Sequence, residues 1–598
     1  MRCCLFAGVW TLVVACLPVP SASAGTPPAR LKLLVPARYL PQVPVLVRVE
    51  ALRSDGGREL SLWDAESTLT VTAPGITLST NRVHLRNGLG SVLVTISGGN
   101  DFELKAALGT LNATKTLTDA SGLPVSTVSG TLPTGDTEWS GLVQITGTVT
   151  VPVGGTLTIL SNTIVLVSGP TGTTNNIVVA GTLRSLGTED FPVTITCATA
   201  NQRWGQIRHN NAQPSLYRYT CINRAGRGNG EGHTSTTPVI RPTNSKITFE
   251  SCNLTDFADP SGGPGKVGYG TGSDLAFIDC LLQRARMGPE VSGTALLCTN
   301  TWIMDMNGPD DADGIYIHDQ SAGQQVLFAG CVIADGDDDG IDTLGSIITV
   351  EDCIIREWNN LGEDAKGISA LNGAVHVRRS LIVDSTVGIA AKSGGSTPST
   401  TPVLVTVNNT TMMGNRTNLL ANRKSSAVGP NVHLSLTNCI LWGGDPIHSE
   451  FDSGSFDSTN FTVAYCNVGE PWQGTGNIMA DPLFADVANH DYRLLPHSPS
   501  IDAGNPASPA DPDGSPADQG YVRFVPPPPS ISNPELLASG YHFLLNAYTN
   551  RNYAIDVSQD LKNWTFLKTV AQTAESTPVD DPGASLLTHR FYRAHLSP

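Results

Sequence analysis

Acidic side chains are the residues of this chain best suited to chemistry, and they are concentrated in one stretch. Between Asp305 and Lys366 there are 15 acidic and two basic residues, a local charge of −13 out of −16 for all 598 residues. Closely spaced carboxylates can bind a divalent cation or act as general acids and bases. The excess of acid is therefore local, and it marks the first candidate site.

Turns in this stretch share a Gly-Ile step, at Gly314, Gly340 and Gly367, and the next turn repeats it at Gly388. The intervals of 26, 27 and 21 residues predict equivalent positions stacked about 4.8 Å apart in neighbouring rungs of strands. If Ile is buried, the residue before Gly and the residue after Ile point outward. The predicted columns are Asp313, Asp339, Lys366 and Val387; Tyr316, Asp342, Ser369 and Ala390; and, in the preceding turn, Asp311, Asp337 and Asp364.

Stacked carboxylates call for a counter-ion, because two of them about 5 Å apart repel by roughly 3 kcal/mol at an effective dielectric of 20. Asp335-x-Asp337-x-Asp339-Gly340 reproduces the first half of a calcium loop, although Ser346 stands where the closing Glu would be. We predict Ca²⁺ bound across several rungs, with Asp311, Asp313, Asp337, Asp338, Asp339 and Asp342 as ligands. The alternative is that Asp and Gly form tight turns here, with Lys366 neutralising Asp339 from the next rung.

The elements that position these residues form a repeat. Segments such as ITFESCNL, VLFAGCVI and ITVEDCII carry a short alternating strand, a small residue, an apolar step and a polar turn. A period drifting through the twenties, with alternation of period two, is typical of a solenoid of stacked strands. The small residue recurs at Cys252, Cys280, Thr301, Cys331, Cys353, Ser380, Thr410, Cys439 and Cys466.

Two further segments carry a resemblance to a known group. GTVTVPVGGTLTIL followed by WGQIRH is similar to the opening rungs, and IMADPLFADVANHDYRLLPHSPSIDAGNP to the closing segment, of secreted right-handed parallel β-helix proteins of the pectate-lyase-like type. The resemblance covers about 139–524. It implies the fold but not one activity, because this fold serves lyases, hydrolases, epimerases and adhesins.

Within that group, ADGIYIH followed by DDDGID resembles the calcium turns of one set of pectate lyases. The resemblance implies Asp313, Asp338, Asp339 and Asp342 as ligands. Lyases of this kind use a basic Lys or Arg, but the corresponding position here is Ser369, which leaves Lys366 as the candidate catalytic base. Tyr316, His318 and Asp364 are the candidate substrate-binding residues. His233 and His318 are otherwise isolated in the sequence.

The remainder of the chain predicts flanking modules. Residues 1–24 read as an export signal ending in Ala22-Ser23-Ala24, with lipidation at Cys16 as the competing interpretation. We expect an immunoglobulin-like β-sandwich at 25–120, the parallel β-helix at 135–480 and its closing segment at 481–524. A Pro-rich linker at 525–534 and a small β module at 535–598 follow.

Composition narrows the function. Only 15% of residues are charged and the net charge is negative, which excludes a nucleic-acid partner. No segment of the mature chain is apolar enough to cross a membrane. We expect an exported, monomeric protein whose partner is a polysaccharide or cell-envelope glycan. One interpretation is a non-catalytic adhesive or carbohydrate-binding rod stabilised by calcium; the alternative is a calcium-dependent lyase of uronate glycans.

Overall fold

The computed structural model describes residues 27–168, 174–199, 202–257, 265–308, 311–359, 365–394, 403–423, 432–450, 460–586 and 589–597. The predicted export signal, Cys16 and Asp364 lie outside these residues. Secondary structure in the described part consists of strands and short 3-10 segments, among them Val487–Asn489 and Pro582–Leu586. No helix there is long and apolar enough to span a membrane.

The central part is a coil of parallel strands with three faces, and each strand pairs with its equivalents one coil before and one coil after. The predicted right-handed parallel β-helix is confirmed by this strand order, since parallel crossovers are almost always right-handed. Face A is a 13-stranded sheet. Its strands are Gly135–Trp139, Gly155–Leu160, Thr182–Leu186, Ser215–Arg218, Lys246–Glu250, Asp274–Ile278, Ala295–Thr299, Val326–Ala329, Ile347–Glu351, Ala374–Arg378, Val403–Asn408, Val432–Thr437 and Phe461–Ala464.

The other two faces are joined through the long strands Val125–Thr131 and Leu142–Val151 into one sheet of 25 strands. Face B then comprises Ile164–Val167, Val193–Cys197, Thr220–Asn223, Asn253–Thr255, Leu281–Ala285, Trp302–Met306, Val332–Gly336, Ile354–Trp358, Leu381–Val383, Thr411–Met413, Ile440–Trp442 and Asn467–Val468. Face C comprises Ile177–Val179, Ile207–Asn210, Thr237–Thr243, Gly265–Thr271, Met287–Ser292, Ile315–His318, Asp339–Leu344, Lys366–Leu371, Val387–Ser393, Thr417–Arg423 and Asp445–Glu450.

Residues with left-handed backbone recur at the corner between faces A and B. Between faces A and B the series includes Ser251, Asp279, Asn300, Asp352 and Asn438, all with φ between 47° and 57°. Asn, Asp and Gly tolerate this conformation better than other residues, which explains why they precede the small residue in the repeat. One such residue in each coil turns the chain from face A to face B.

The column of small residues predicted from the repeat is present and buried. The backbone N–H of Cys331 donates to Cys353 Sγ (3.4 Å), and that of Cys353 donates to Ser380 Oγ (3.2 Å), one coil further. The nine cysteines of the described chain are all free and buried. The column therefore satisfies backbone donors at a corner as well as filling space.

Glycines of the Gly-Ile turns make room for a large core side chain. A Cβ at Gly336 or Gly340 would lie within 3 Å of the indole of Trp358, which is completely buried. The Trp358 ring nitrogen donates to the carbonyl of Ile333 (3.2 Å). Close packing, in addition to tight turning, therefore explains glycine at these positions.

The N-terminal domain is all-β. Eight strands form one largely antiparallel sheet in the order Arg30–Leu34, Val45–Leu52, Leu89–Val94, Arg82–Arg86, Asp64–Val71, Phe102–Leu108, Leu111–Asp119 and Arg38–Tyr39, and Thr77–Leu78 pairs with Ile96–Ser97. A separate apolar core fills it, including Val47, Val83 and Leu104. The immunoglobulin-like pairing of two sheets is not confirmed by this strand order.

This domain covers face B. Arg48 donates to Asn253 Oδ1 (2.9 Å), and the indole of Trp302 donates to the carbonyl of Arg86 (3.1 Å). Further along, Arg356 Nη1 donates to the carbonyl of Trp63 (2.9 Å). The contacts thus extend over successive coils from Asn253 to Arg356.

The closing segment forms a hairpin of Phe484–Asp486 and Asp491–Leu494 and then returns along the coil. Asp518 accepts hydrogen bonds from the backbone of Asp502 (2.8 Å) and Phe524 (2.6 Å), and Asp511 accepts one from the backbone of Asp518 (3.0 Å). These carboxylates therefore close the last coil by binding backbone donors.

The C-terminal module has two three-stranded sheets around its own core. The strands are Ser530–Leu537, Gly540–Asn546 and Ser576–Asp581 in one sheet, and Thr565–Gln572, Arg551–Ser558 and Phe591–Leu596 in the other. Arg551 contacts Asp502 of the closing segment at 2.7 Å.

Candidate functional site

The acidic turns lie in the register predicted from the Gly-Ile steps. Tyr316 pairs with Asp342, and Asp342 pairs with Ser369, in consecutive strands of face C. Asp339 pairs with Lys366 in the neighbouring column. The stacking of these two columns is therefore observed, although the columns are largely enclosed.

Enclosure changes the electrostatics of this group. Asp313, Asp339 and Lys366 are only 2%, 5% and 5% exposed. Burial raises the pKa of Asp313 well above its usual range, and the neighbouring Asp342 and Asp339 raise it further. Burial also raises the pKa of Asp339 to about 6, against the lowering effect of Lys366. Burial and neighbouring carboxylates therefore favour the protonated form most strongly at Asp313.

The group is also partly neutralised from within. Lys366 Nζ lies 3.2 Å from Asp339 Oδ1, the pairing expected in the tight-turn alternative. Ser369 Oγ donates to Asp342 Oδ1 (2.7 Å). An enclosed, ion-paired amine gives no geometric support to Lys366 as a catalytic base, and that role stays a prediction.

The carboxylates of the calcium-loop pattern have different partners. Asp335 is bound by Arg86 of the N-terminal domain, Asp337 accepts the backbone N–H of Gly308 (2.7 Å), and Asp339 pairs with Lys366. Within the described ranges, no three His, Cys, Asp or Glu side chains are grouped so that they could hold a metal ion. The described donors do not form a shell for calcium, and calcium binding stays a prediction.

A second polar group lies on face C, with Glu290 one coil and Lys266 two coils before Tyr316. No sequence pattern marked Glu290 or Lys266. Lys266 and Glu290 are both buried and form an ion pair. Glu290 also accepts hydrogen bonds from the ring of His318 (3.2 Å) and from the backbone N–H of His233 (2.9 Å). The two histidines are isolated in the sequence but meet at this carboxylate: His233 reaches it from a turn through its backbone N–H, and strand stacking brings the ring of His318 to it.

Tyr316 lies between the two histidines. Its ring centroid is 5.1 Å from that of His233 and 4.8 Å from that of His318, on which it stacks. His233 Nε2 lies 3.2 Å from Asp311 Oδ1. Of the predicted substrate-binding residues, Tyr316 and His318 are thus together, and Asp364 lies outside the described residues. We name Tyr316, His318, His233, Glu290 and Lys266 the histidine cluster.

The surroundings of Tyr316, His318 and Glu290 shift the pKa values of these three groups. Burial raises the pKa of the Tyr316 hydroxyl, and Asp342 and Glu290 raise it further. Burial lowers the pKa of His318, but hydrogen bonds to Glu290 and Asp319 outweigh burial and raise it overall. Burial likewise opposes ionisation of Glu290, but His318 and Lys266 lower its pKa. Tyr316 keeps its proton, and His318 favours the charged form.

Basic side chains occupy the preceding coils of the same column. Arg208 and Arg241 flank Glu231, at 2.9 and 2.6 Å. The guanidinium of Arg241 lies over the ring of Tyr269, 4.4 Å from its centroid. Face C therefore presents basic, aromatic and then acidic groups along the coil axis.

Comparisons with known proteins do not define the activity. No protein-family model matches this chain, and no curated protein matches it. Among solved structures, similarity is found to the periplasmic alginate epimerase AlgG, with 12% identity, 56% of this chain and 77% of that chain covered, and a TM-score of 0.36.

Two further similarities are of the same kind. The Azotobacter vinelandii mannuronan C-5 epimerase AlgE6 A-module matches with 13% identity, 59% of this chain and 92% of that chain covered, and a TM-score of 0.29. A family 28 exopolygalacturonase of Yersinia enterocolitica matches with 8% identity, 72% and 100% covered, and a TM-score of 0.28. At such TM-scores the activities of these proteins are not evidence for this one.

Proposed function

We propose that this protein is exported and binds a polysaccharide along face C, with the histidine cluster as the centre of the site. The observation that carries the proposal is the grouping of Tyr316, His318 and His233 over the buried Glu290–Lys266 pair. Buried charges that shift the pKa values of neighbouring groups are typical of functional sites.

The position of the histidine cluster supports this proposal. Face B is covered by the N-terminal domain, whereas no contact of that domain with the histidine cluster is found among the described residues. Aromatic rings with charged groups beside them suit a sugar, which offers apolar ring faces and hydroxyl groups. Stacking at about 4.8 Å per coil would align successive contacts along an extended chain.

Binding to a panel of uronate polymers and neutral cell-envelope glycans, measured by calorimetry, tests this proposal. We expect at least one polymer to bind, and His318→Ala to weaken that binding by about tenfold or more. The matched control is His376→Ala, because His376 is an exposed histidine of face A. Absence of binding to every polymer, or equal weakening by both variants, would refute the proposal.

A second candidate is catalysis by β-elimination on a uronate, and the protonated Tyr316 beside His233 favours it. Elimination needs a base for the proton beside the carboxylate and an acid for the leaving oxygen. We assign the base to His233, which Asp311 orients, and the acid to Tyr316. Ultraviolet absorbance of unsaturated products tests this assignment; binding without any product would leave a non-catalytic glycan-binding protein.

A further inference from the structure

Glu290 makes an unusual set of contacts for a residue in the middle of a strand. Its carboxylate pairs with Lys266, accepts from His318 Nε2 (3.2 Å), and accepts the backbone N–H of His233 at both oxygens (2.9 and 3.1 Å). Glu290 is 1% exposed and Lys266 is fully buried. One carboxylate thus connects two histidines from segments 85 residues apart in sequence.

The segment that carries His233 is shaped around this carboxylate. Gly232 has a φ of 77°, and a Cβ there would lie 2.2 Å from Glu290 Oε2. A bridge between Glu231 and Thr236 closes the turn on either side of His233. Glycine at this position therefore lets the backbone approach Glu290 closely enough to hydrogen bond.

The coil itself does not need a charge at this position. Glu290 pairs with Tyr316 of the next coil. In the coils after that, the same position is occupied by Asp342, Ser369 and Ala390. Ser369 and Ala390 show that small uncharged residues satisfy the same place in the fold. Since an enclosed ion pair adds little net stability over apolar residues, packing alone does not explain Glu290 and Lys266.

We propose that Glu290, held by Lys266, is a positioning residue that fixes His233 through its backbone and His318 through its ring at the glycan site. This inference rests on the proposed function for the purpose of the two histidines. The geometric part, that Glu290 determines the place of both rings, stands or falls independently of any glycan.

The experiment compares the whole protein with the double variant Glu290→Gln/Lys266→Met, which removes the carboxylate without leaving a buried lysine unpaired. Ring signals of ¹³C-labelled histidines are assigned with His233→Asn and His318→Asn and followed by NMR as a function of pH. We expect a folded protein in which both ring signals shift and the His318 pKa falls, because Asp319 is then the one carboxylate of the described residues left paired with its ring. Glycan affinity should fall by about tenfold or more.

The matched control is Asp339→Asn/Lys366→Met, which neutralises the other buried lysine–carboxylate pair of face C. It should leave both histidine signals in place. Unchanged signals in the Glu290 variant would overturn the inference, and so would its failure to fold, because the pair would then serve the coil. If the wild type binds no glycan, the proposed function fails, while the histidine signals still decide the positioning role.

Discussion

Two fully buried cations, Arg356 and Lys266, lie on neighbouring faces of the β-helix and have different partners. Arg356 on face B is taken up by another domain: its guanidinium lies over the ring of Trp63 at 4.1 Å and pairs with Asp64 at 2.9 Å. Lys266 on face C pairs with Glu290 of the next coil on the same face.

The two buried cations therefore differ in what they connect: Arg356 joins two domains, whereas Lys266 pairs within face C. Removing Arg356 would break an interface, because its donors satisfy backbone and side-chain acceptors of the N-terminal domain. Removing Lys266 and Glu290 together would break no contact with another domain that we find in the described chain. Lys266 and Glu290 instead contact His233 and His318, and this is why we propose a function on face C.

The largest expected effect is loss of the face B contact. Arg356→Met should lower the free energy of unfolding by about 3 kcal/mol, because the carbonyl of Trp63 and the side chain of Asn87 lose a buried donor, whereas Asp64 and Glu357 are partly exposed and keep Arg86. Chemical denaturation measures this loss. The control Arg82→Met removes an exposed pair with Glu66 and should cost about 0–1 kcal/mol. Equal effects of the two variants would abolish the distinction between the faces.

A buried histidine without a carboxylate should respond to pH in the opposite way to His318. Burial lowers the pKa of His209 to about 3. Below pH 6.5 the unfolded chain binds a proton that the folded chain does not, so stability falls as pH falls from 6.5 towards 3. Between pH 6.5 and 4.5 the wild type should lose about 2.3 kcal/mol more than His209→Gln.

For His318 the sign reverses. Its pKa is raised by Glu290 and Asp319 although burial opposes this, so its contribution is fully present below pH 6.5 and is lost as pH rises through the folded pKa. Denaturation of His318→Gln against pH checks this direction. Parallel pH profiles for the two histidine variants would contradict the assigned environments.

A smaller effect is expected from calcium at the acidic turns. At ten times its dissociation constant, Ca²⁺ should stabilise the wild type by about 1.4 kcal/mol and Asp339→Ala by less. Melting temperatures with and without Ca²⁺ measure this effect. Identical melting of the wild type under both conditions would leave turn formation, with Lys366 paired to Asp339, as the whole role of these residues.

The smallest effect on stability is expected at the centre of the proposed site. The Tyr316 hydroxyl makes no hydrogen bond to the described residues that we find, so Tyr316→Phe should change the free energy of unfolding by less than about 0.5 kcal/mol. Glycan binding, and any elimination product, should nonetheless decrease. Loss of stability together with function would return Tyr316 to a structural role, and Tyr269→Phe serves as the control.

The fold was predictable because the coil repeats a local rule. The small residue at Cys331, Cys353 and Ser380, with a left-handed corner residue just before it, appears at each coil and needs no partner far along the chain. The arrangement of the N-terminal strands was not predictable in the same way, because alternation identifies strands without specifying their pairing.

The positions of site residues were predictable only where those residues belong to the repeated Gly-Ile turns. The Gly-Ile step gave the register of Tyr316, Asp342 and Ser369, but not the enclosure of Asp313, which depends on neighbouring coils. Glu290 was missed because its turn lacks the step, and His233 because it lies in a turn outside the strands. Only the three-dimensional stacking brings them together.

The docking of the N-terminal domain has a mechanical consequence. The domain is hydrogen-bonded to successive coils of face B from Asn253 to Arg356. It therefore holds these coils together along the axis of the β-helix. Beyond this span, from Leu381–Val383 towards Asn467–Val468, the closing segment holds the coils together in the same way, through Asn409, Asn438 and Asn467. The coils of the histidine cluster lie alongside the N-terminal domain, so their spacing would persist under a pulling force on the two ends.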